Sequence, residues 1–424
     1  MTTTVDSAPS GRPNVRDRRQ ATLERLYGGD VPQRRRRRRT TRDDDAGEEV
    51  LGPPPPMYYG IAAVVAVFVI LGLVMVLSSS AVTQANLGFS PYRVFSRQAV
   101  WALFGLVALV VATKTSYRVW RPLTVPLGLV ALALMAAPFA PGIGATVNGT
   151  RSWVRVGGFS FQPSELLKLV AVIAVADLLT RRRHELGVPQ RALYPLGAIA
   201  LVGAGLCLAQ GDLGSAVVLG CIVLGVAWVG GVPVAHVAGL ASIAVSATLL
   251  FVMSSPRRLD RFTAFLNVAE EKDHLAYQTY QGFVSMASGG LTGTGIGGGN
   301  GKLGYLPYAH SDFIFAVVAE ELGLIGAGAV IIGFVLLIWF GIQTALAAPD
   351  RFGMLLAGGV SVWFGIQTII NLGGVTGLLP VTGLTLPFFS AGGSSLFASM
   401  LAVGLLLSVA RRVGSRREPA EDAP

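Results

Sequence analysis

The sequence has little charge and only two cysteines. Charged residues make up 14% of its 424 residues, whereas 52% are hydrophobic. A soluble protein of this length carries far more charge, so the composition excludes a soluble globular enzyme. Cys207 and Cys221 lie in successive apolar segments without neighbouring metal ligands, which indicates small core residues rather than a thiolate metal site.

Apolar stretches recur from Met57 to Ala410. Each approaches the roughly 20 residues that a helix needs to cross a bilayer. The pattern predicts an all-α polytopic membrane protein with about ten transmembrane helices. The predicted spans are 57–77, 98–113, 122–140, 163–180, 192–210, 213–230, 234–253, 313–346, 352–371 and 393–410.

Polar segments divide the chain into three parts. Residues 1–56 are rich in Arg, Asp, Thr and Pro and have few large apolar groups, which predicts a disordered cytoplasmic tail. Residues 57–410 form the predicted transmembrane domain, with one large extracytoplasmic loop at about 254–312, and residues 411–424 form a second cytoplasmic tail. With both termini in the cytoplasm, connections rich in Lys and Arg lie on the cytoplasmic side, in agreement with the positive-inside rule.

The net charge of +10 and the arginine run at residues 34–39 invite a nucleic-acid interpretation. In a membrane protein, however, cytoplasmic Lys and Arg set the orientation and attract anionic lipid. We therefore predict membrane lipid, and no nucleic acid, as the partner of these charges.

The polar segment at residues 151–168 leads into a predicted span. Glu165 and Lys168 lie one turn apart on one helix face at the membrane boundary, where each needs the other or water. A simple ion pair at the helix end and an anion-binding pair both fit this spacing. Arg151 and Arg155 are cations on the predicted outer side, where an anionic ligand would explain them. Asp212 lies in a tight outer turn, where it either caps the next helix or belongs to the site.

A second polar segment, residues 302–321, also leads into a predicted span. Charges at the membrane boundary are costly unless paired or hydrated, so the cluster of Asp312, Glu320 and Glu321 indicates a functional site. The alternative is that these acids cap the helix N-terminus in water. Residues 289–302 include eight glycines and lack the strand and helix context of a dinucleotide site. This stretch predicts flexible backbone that approaches a ligand closely.

Four motifs resemble the SEDS family of FtsW, RodA and the sporulation homologue. They are Phe-Gln-Pro-Ser-Glu-Leu-Leu-Lys at 161–168, Gly-Asp-Leu-Gly-Ser at 211–215, Tyr-Leu-Pro-Tyr-Ala-His-Ser-Asp-Phe-Ile-Phe-Ala at 305–316 with Glu-Glu-Leu-Gly at 320–323, and Gly-Leu-Thr-Leu-Pro-Phe-Phe-Ser-Ala-Gly-Gly-Ser-Ser-Leu at 383–396. The resemblance covers about residues 57–410. It implies the family's ten-helix fold with both termini inside, which agrees with the topology inferred from charge.

The resemblance implies a peptidoglycan glycosyltransferase that polymerises lipid II, an undecaprenyl-pyrophosphate disaccharide-peptide, at the outer face of the cytoplasmic membrane. The 4-hydroxyl of one sugar attacks the anomeric carbon of the growing chain, which inverts and releases lipid pyrophosphate. Such a site needs a general base and cations for the leaving group. The predicted substrate-binding residues are Arg151, Arg155, Glu165, Lys168, Asp212, Lys302, His310, Asp312, Ser394 and Ser395.

The candidate base lies in the large outer loop. Members of the family usually carry an aspartate there, six residues before a Tyr-Gln pair and ten after an arginine. Counting forward from Arg261 or back from Tyr277 reaches Glu271, while the nearest aspartate is Asp273. We prefer Asp273 as the catalytic residue and keep Glu271 as the alternative.

Within the family, the string at 383–396 and the alanine before His310 are more similar to FtsW than to RodA. The resemblance therefore implies septal synthesis during cell division, a class B penicillin-binding protein as transpeptidase partner, and other divisome proteins. It fixes no cofactor and leaves a divalent cation open. The alternatives are a RodA-like elongation polymerase, a lipid II flippase or transporter, and a scaffold that only recruits the transpeptidase. A transporter needs polar groups that continue across the membrane midplane.

Overall fold

A computed structural model of the chain describes residues 49–147, 149–156, 159–271, 273–274, 276–414 and 416–417. The predicted disordered tail therefore lies outside the described residues as far as residue 48. The helices are α1 (Pro56–Asn86), α2 (Arg93–Lys114), α3 (Thr124–Ala136), α4 (Pro163–Arg181), α5 (Leu193–Ala209), α6 (Leu213–Val229), α7 (Val234–Met253), α8 (Pro256–Leu266), α9 (Tyr277–Ser288), α10 (Ile314–Ala347), α11 (Arg351–Val375) and α12 (Gly393–Arg411). Short 3-10 turns occur at Tyr117–Trp120, Ala137–Phe139 and Gly301–Leu303.

Each of the ten predicted spans coincides with one helix of the described chain. Six of these helices, α1, α2, α7, α10, α11 and α12, are long and apolar enough to cross a membrane. The apolar helices α3, α5 and α6 are shorter, and the 19-residue α4 carries Glu165, Lys168 and Asp177. A multi-pass helical membrane protein is therefore confirmed, while the number of ten crossings stays a prediction.

A small antiparallel sheet departs from the all-α expectation. It consists of β2 (Gly144–Val147), β3 (Thr150–Val156) and β4 (Phe159–Phe161) in that order, between α3 and α4. The local alternation of β3 buries Ser152 and exposes Arg151 and Arg155 on the opposite face. The polar segment before α4 thus folds as part of a three-stranded sheet. A two-residue strand before α1, β1 (Glu49–Val50), pairs with β5 (Arg416–Arg417) after α12.

The core lies around α11 and α12, whose apolar windows are 72% and 83% buried. Helix α12 packs closely on α2, because a Cβ on Gly404 would lie only 2.6 Å from the carbonyl oxygen of Leu109. Helix α10 packs on α1 and α11. Helix α7 is the opposite case, since it has no buried residue. Close backbone approach at small residues is the usual way in which membrane helices associate.

Alternating connections bring the helix ends together in two polar layers. In one layer Asp350 accepts hydrogen bonds from Tyr117 Oη at 2.6 Å and Arg118 Nε at 2.9 Å. In the same layer Asp177 pairs with Arg121 at 2.9 Å and with Arg181 at 2.7 Å. This is the layer predicted to face the cytoplasm. The opposite layer contains the sheet and the N-termini of α4, α6, α10 and α12, together with the residues predicted to bind substrate.

Candidate functional site

Asp212 connects the N-termini of three helices. Its Oδ1 accepts a hydrogen bond from Ser215 N at 2.9 Å and so caps α6, which confirms the capping alternative. Its Oδ2 accepts from Gln162 Nε2 at 2.9 Å and from Ser164 Oγ at 3.4 Å, at the start of α4. The backbone N–H of Gln162 in turn donates to Ser394 Oγ of α12 at 3.2 Å. Two of the sequence motifs therefore meet at the Asp212 carboxylate, and the third joins them through Gln162.

The predicted ion pair between Glu165 and Lys168 is present and is deeply buried. Lys168 Nζ lies 2.9 Å from Glu165 Oε1 and 2.9 Å from Gln367 Oε1, and the Lys168 side chain has no exposed surface. Gln367 also accepts from Trp363 Nε1 at 2.7 Å and donates to the carbonyl oxygen of Thr385 at 2.9 Å. Glu165 Oε2 is buried without a hydrogen-bond partner. The ammonium is thus enclosed by α11, and its predicted contact with pyrophosphate stays a prediction.

Asp312 lines a small cavity between the start of α10 and the end of α11. Its Oδ1 accepts from Ser311 Oγ at 2.5 Å. Asn371 Nδ2 donates to the carbonyl oxygens of Asp312 and Leu384 at 3.0 and 2.7 Å, so the amide orientation is fixed. The cavity volume of about 10 Å³ is enough for about one water molecule. It is lined by Asp312, Phe313, Ile370, Asn371, Gly374, Val375, Val381, Thr382, Gly383 and Leu384.

His310 and Ser395 lie in the region where the segment before α10 contacts the segment before α12. The carbonyl oxygen of His310 accepts from Ala391 N at 2.8 Å. Burial lowers the pKa of the His310 imidazole below its ordinary value, which favours the neutral form at pH 7. Ser395 Oγ lies 2.8 Å from Thr385 Oγ1 and is 5% exposed. The bond to His310 joins the two segments, and the bond to Ser395 holds the segment before α12 against the start of that helix.

The two candidate bases of the outer loop, Asp273 and Glu271, are more accessible to solvent than Glu165 and Lys168. Asp273 is exposed and Glu271 is half-buried, just before α9 begins at Tyr277. Gln278 Nε2 donates to the carbonyl oxygen of Pro307 at 3.1 Å. This bond ties the start of α9 to the segment that carries His310. Both acids therefore precede the same anchored helix, and the choice between them as the base stays a prediction.

The two predicted cations of the sheet have different surroundings. Arg151 donates from Nε to the carbonyl oxygen of Pro138 at 3.0 Å and from Nη2 to that of Phe139 at 3.3 Å. Its charge thus lies against the free carbonyl groups that follow α3, as expected for a cation at a helix C-terminus. Arg155 is exposed four residues further along β3. Of the two, Arg155 has the more open side chain for an anion.

Glu320 and Glu321 are 1% and 0% exposed, so the interpretation that they cap a helix in water is wrong. Lys302, predicted to bind substrate, is 6% exposed and pairs with Glu321 at 3.0 Å. The glycine-rich stretch at residues 289–302 packs on α10 around these acids, and its predicted approach to a ligand stays a prediction. The local sequence gives no sign that Glu321 is buried or that it pairs with Lys302. The groups that meet here come from distant parts of the chain, Ser78 from α1 and Glu321 from α10.

Among the residues that the structure describes, no group of three His, Cys, Asp or Glu side chains is arranged to hold a metal ion. A divalent cation can also be held by one or two carboxylates together with substrate phosphates. Asp312, Glu271 and Asp273 are carboxylates of the described chain that lie on the predicted substrate side.

The fold and these contacts define a multi-pass membrane protein whose buried polar groups collect at one end of its helices, beside a large loop that bears acids. The sequence pattern of the FtsW, RodA and SpoVE family of cell cycle proteins matches residues 59–414. The chain belongs to this family.

Two relatives and two solved structures illustrate the similarity. The chain is 37% identical over 342 residues to the probable peptidoglycan glycosyltransferase FtsW of Geobacter sp. (strain M18), covering 81% of this chain and 93% of the relative. It is 40% identical over 352 residues to the protein of the same description from Mycobacterium tuberculosis, covering 83% of this chain and 67% of the relative. RodA of Thermus thermophilus, a rod shape determining protein, aligns with a TM-score of 0.61 at 31% identity, covering 83% and 96% of the two chains. A chain from a peptidoglycan synthase complex that coordinates polymerization and crosslinking aligns with a TM-score of 0.69 at 31% identity, covering 84% and 98%.

Proposed function

We propose that the protein is a peptidoglycan glycosyltransferase of the FtsW type, which polymerises lipid II into glycan strands at the outer face of the cytoplasmic membrane during cell division. The observation that carries this function is the family membership over residues 59–414, with relatives described as peptidoglycan glycosyltransferases. The clustering of the four motifs at one end of the helices supports it, because a lipid-linked substrate presents its sugar and pyrophosphate at the membrane surface.

The chemistry divides between the loop and the helix ends. Asp273, with Glu271 as the alternative, removes the proton from the attacking 4-hydroxyl as that oxygen bonds to the anomeric carbon. The bond from this carbon to the pyrophosphate oxygen breaks at the same time, and the electron pair leaves with the lipid pyrophosphate. Arg155 is an exposed cation of the sheet that can bind the departing anion. The role of Asp212 is to hold the ends of α4, α6 and α12 in register around this space.

The interior of the helices favours a polymerase over a lipid II flippase. On α4, the buried Glu165 and Lys168 are followed by apolar residues, with Val172 and Ile173 0% and 1% exposed, before Asp177. On α11, the polar residues Asn371 and Gln367 are followed towards the other end by mostly apolar buried side chains from Trp363 onward. The exception is Ser361, whose hydroxyl donates to the carbonyl oxygen of Ala357 in the same helix. A translocation path needs polar groups along its whole length. In this protein, the polar residues that extend inward from the predicted substrate side on α4 and α11 stop part of the way along each helix.

Topology and partners form part of the proposal. Ten membrane crossings with both termini in the cytoplasm place the loop acids and the sheet outside, where lipid II is polymerised. A class B penicillin-binding protein is the proposed transpeptidase partner, within the divisome at the septum. The similarity to a chain of a peptidoglycan synthase complex that coordinates polymerization and crosslinking supports such a partner.

The decisive experiment is polymerisation of labelled lipid II by the purified full chain with its transpeptidase partner. Asp273→Asn or Glu271→Gln is expected to lower turnover by about 10²- to 10⁴-fold, the range for loss of a general base. The matched control is Asp260→Asn, which removes another exposed acid of the same outer loop. Full turnover in Asp273→Asn, Glu271→Gln and the double variant contradicts a loop base. An inactive wild-type complex contradicts the polymerase function itself.

A further inference from the structure

Helix α10 is broken near its start, and the glycine-rich stretch fills the break. Gly323 has φ of 68° and ψ of −170° inside the helix. Leu324 N and Ile325 N donate to the carbonyl oxygens of Gly290 and Leu291 at 2.9 and 3.2 Å. In a continuous helix these two N–H groups would bond to the carbonyl groups four residues earlier.

The same stretch also satisfies the carbonyl groups that the break leaves without helical partners. The carbonyl oxygen of Glu320 accepts from Thr294 N at 3.0 Å, and that of Glu321 accepts from Gly295 N at 3.0 Å. Residues 289–302, which we call the glycine segment, therefore take part in the backbone hydrogen bonding of α10. Buried backbone groups must find such partners, so the segment and the break depend on each other.

Backbone contact of this kind requires glycine, and it leaves few side chains that could fix the rest of the segment by packing. A Cβ on Gly289 would lie 2.0 Å from the carbonyl oxygen of Ala319, and a Cβ on Gly293 would lie 2.2 Å from that of Glu321. Eight of the 14 residues of the glycine segment are glycines, so few side chains can fix its register by packing. A chain this rich in glycine has high conformational freedom unless other groups restrain it.

Charged groups supply the missing restraint at the end of the glycine segment. Glu320 Oε1 accepts from Asn300 N at 2.6 Å and from Gly301 N at 3.1 Å. Glu321 Oε1 accepts from Lys302 Nζ at 3.0 Å and from Ser78 Oγ of α1 at 2.6 Å. These bonds are directional and join α1, α10 and the glycine segment at one point.

We infer that the buried pair of Lys302 and Glu321, with Ser78, is a positioning device that fixes the glycine segment and thereby the outer loop for glycosyl transfer. A buried ion pair contributes little net stability compared with apolar residues, but it can specify one arrangement among several. The glycine segment lies directly between α9, which follows the loop acids, and the stretch that carries His310 and Asp312. A shift in its register moves the two sides of the site relative to each other.

This role rests on the proposed function, and its test uses the same polymerisation assay on the full chain with its partner. The first variant is the double substitution Lys302→Met and Glu321→Gln, which removes both charges and retains most of the volume. The second variant is Ser78→Ala, which keeps the ion pair and removes its bond to α1. The matched control is the neighbouring Ser79→Ala, because within the described chain Ser79 Oγ bonds only to carbonyl oxygens of its own helix, at 2.7 and 3.3 Å.

The double variant is expected to unfold at nearly the wild-type temperature and to lose turnover by about tenfold or more, since small misplacements of reacting groups carry such penalties. The KM for lipid II is expected to change little. Ser78→Ala is expected to lose turnover by a smaller factor, and Ser79→Ala to retain it. Wild-type turnover in the double variant, or a loss of turnover that only follows a loss of thermal stability, overturns the positioning role, as does full turnover in Ser78→Ala. If the double variant fails to fold, the turnover of Ser78→Ala relative to Ser79→Ala tests the positioning role, and equal turnover in these two variants overturns it. An inactive wild type would instead refute the proposed function.

Discussion

Replacement of Asp212 tests whether the junction of α4, α6 and α12 serves catalysis as well as stability. Asp212→Ala removes the cap of α6, which costs about 1 kcal/mol. It also leaves Gln162 Nε2 without its acceptor at 2.9 Å, which costs about 1–3 kcal/mol for a buried donor. Because Gln162 is only half-buried, we expect the lower part of that range and a total near 2–3 kcal/mol. Asp212→Asn keeps an oxygen for the cap and is expected to lose less.

Asp350 is the matched control, since it has the same structural role at the opposite end of the helices. It caps α11 through Gly353 N at 2.8 Å and accepts hydrogen bonds from Tyr117 and Arg118. Thermal unfolding in detergent should show a similar loss of stability for Asp350→Ala and Asp212→Ala. Lipid II turnover, normalised to the folded fraction, should fall only for Asp212→Ala. Equal normalised turnover in the two variants would refute the reasoning.

Three further outcomes are expected. Glu165→Gln and Lys168→Met should each destabilise the fold by about 3–5 kcal/mol, and the double variant by little more than either, because each single change leaves one uncompensated buried group; additive losses in thermal unfolding would contradict a coupled pair. The His310 pKa is lowered in the folded state, so the unfolded chain takes up the proton first and stability should fall as pH drops below about 6.5, the ordinary value; an unchanged pH profile in His310→Gln would contradict this. A chain that starts near Pro53 should polymerise lipid II normally and accumulate less at the septum, as seen by fluorescence; a truncated protein that inserts but cannot polymerise would show that the tail acts on the catalytic part.

Local patterns were sufficient for much of the site. The spacing of Glu165 and Lys168 predicted their ion pair, because residues three apart share one face of a helix whatever surrounds it. The position of Asp212 in a tight turn before an apolar run predicted a cap for the same local reason. The positions of the ten helices that match the predicted spans followed from their apolar stretches, because the bilayer requires such a stretch of each span separately.

Long-range partners were beyond the reach of such patterns. Gln367 contacts Lys168 from 199 residues away, and Ser78 contacts Glu321 across 243 residues. Nothing in a polar residue within an apolar helix indicates which distant group it will meet. For this reason Lys302 was predicted to bind substrate, although its ammonium is paired with Glu321 inside the protein.

The sequence by itself therefore determined the membrane class, the order of the helices and the family, because hydrophobic length and short motifs are local properties of the chain. The tertiary structure decided which of the predicted charges are enclosed and which are accessible. It buried Lys168 and Glu321 among neighbouring helices and left Arg155 and Asp273 exposed. It also packed a glycine-rich stretch against the backbone of α10, because backbone groups released at Gly323 need partners that a glycine-rich segment can bring close.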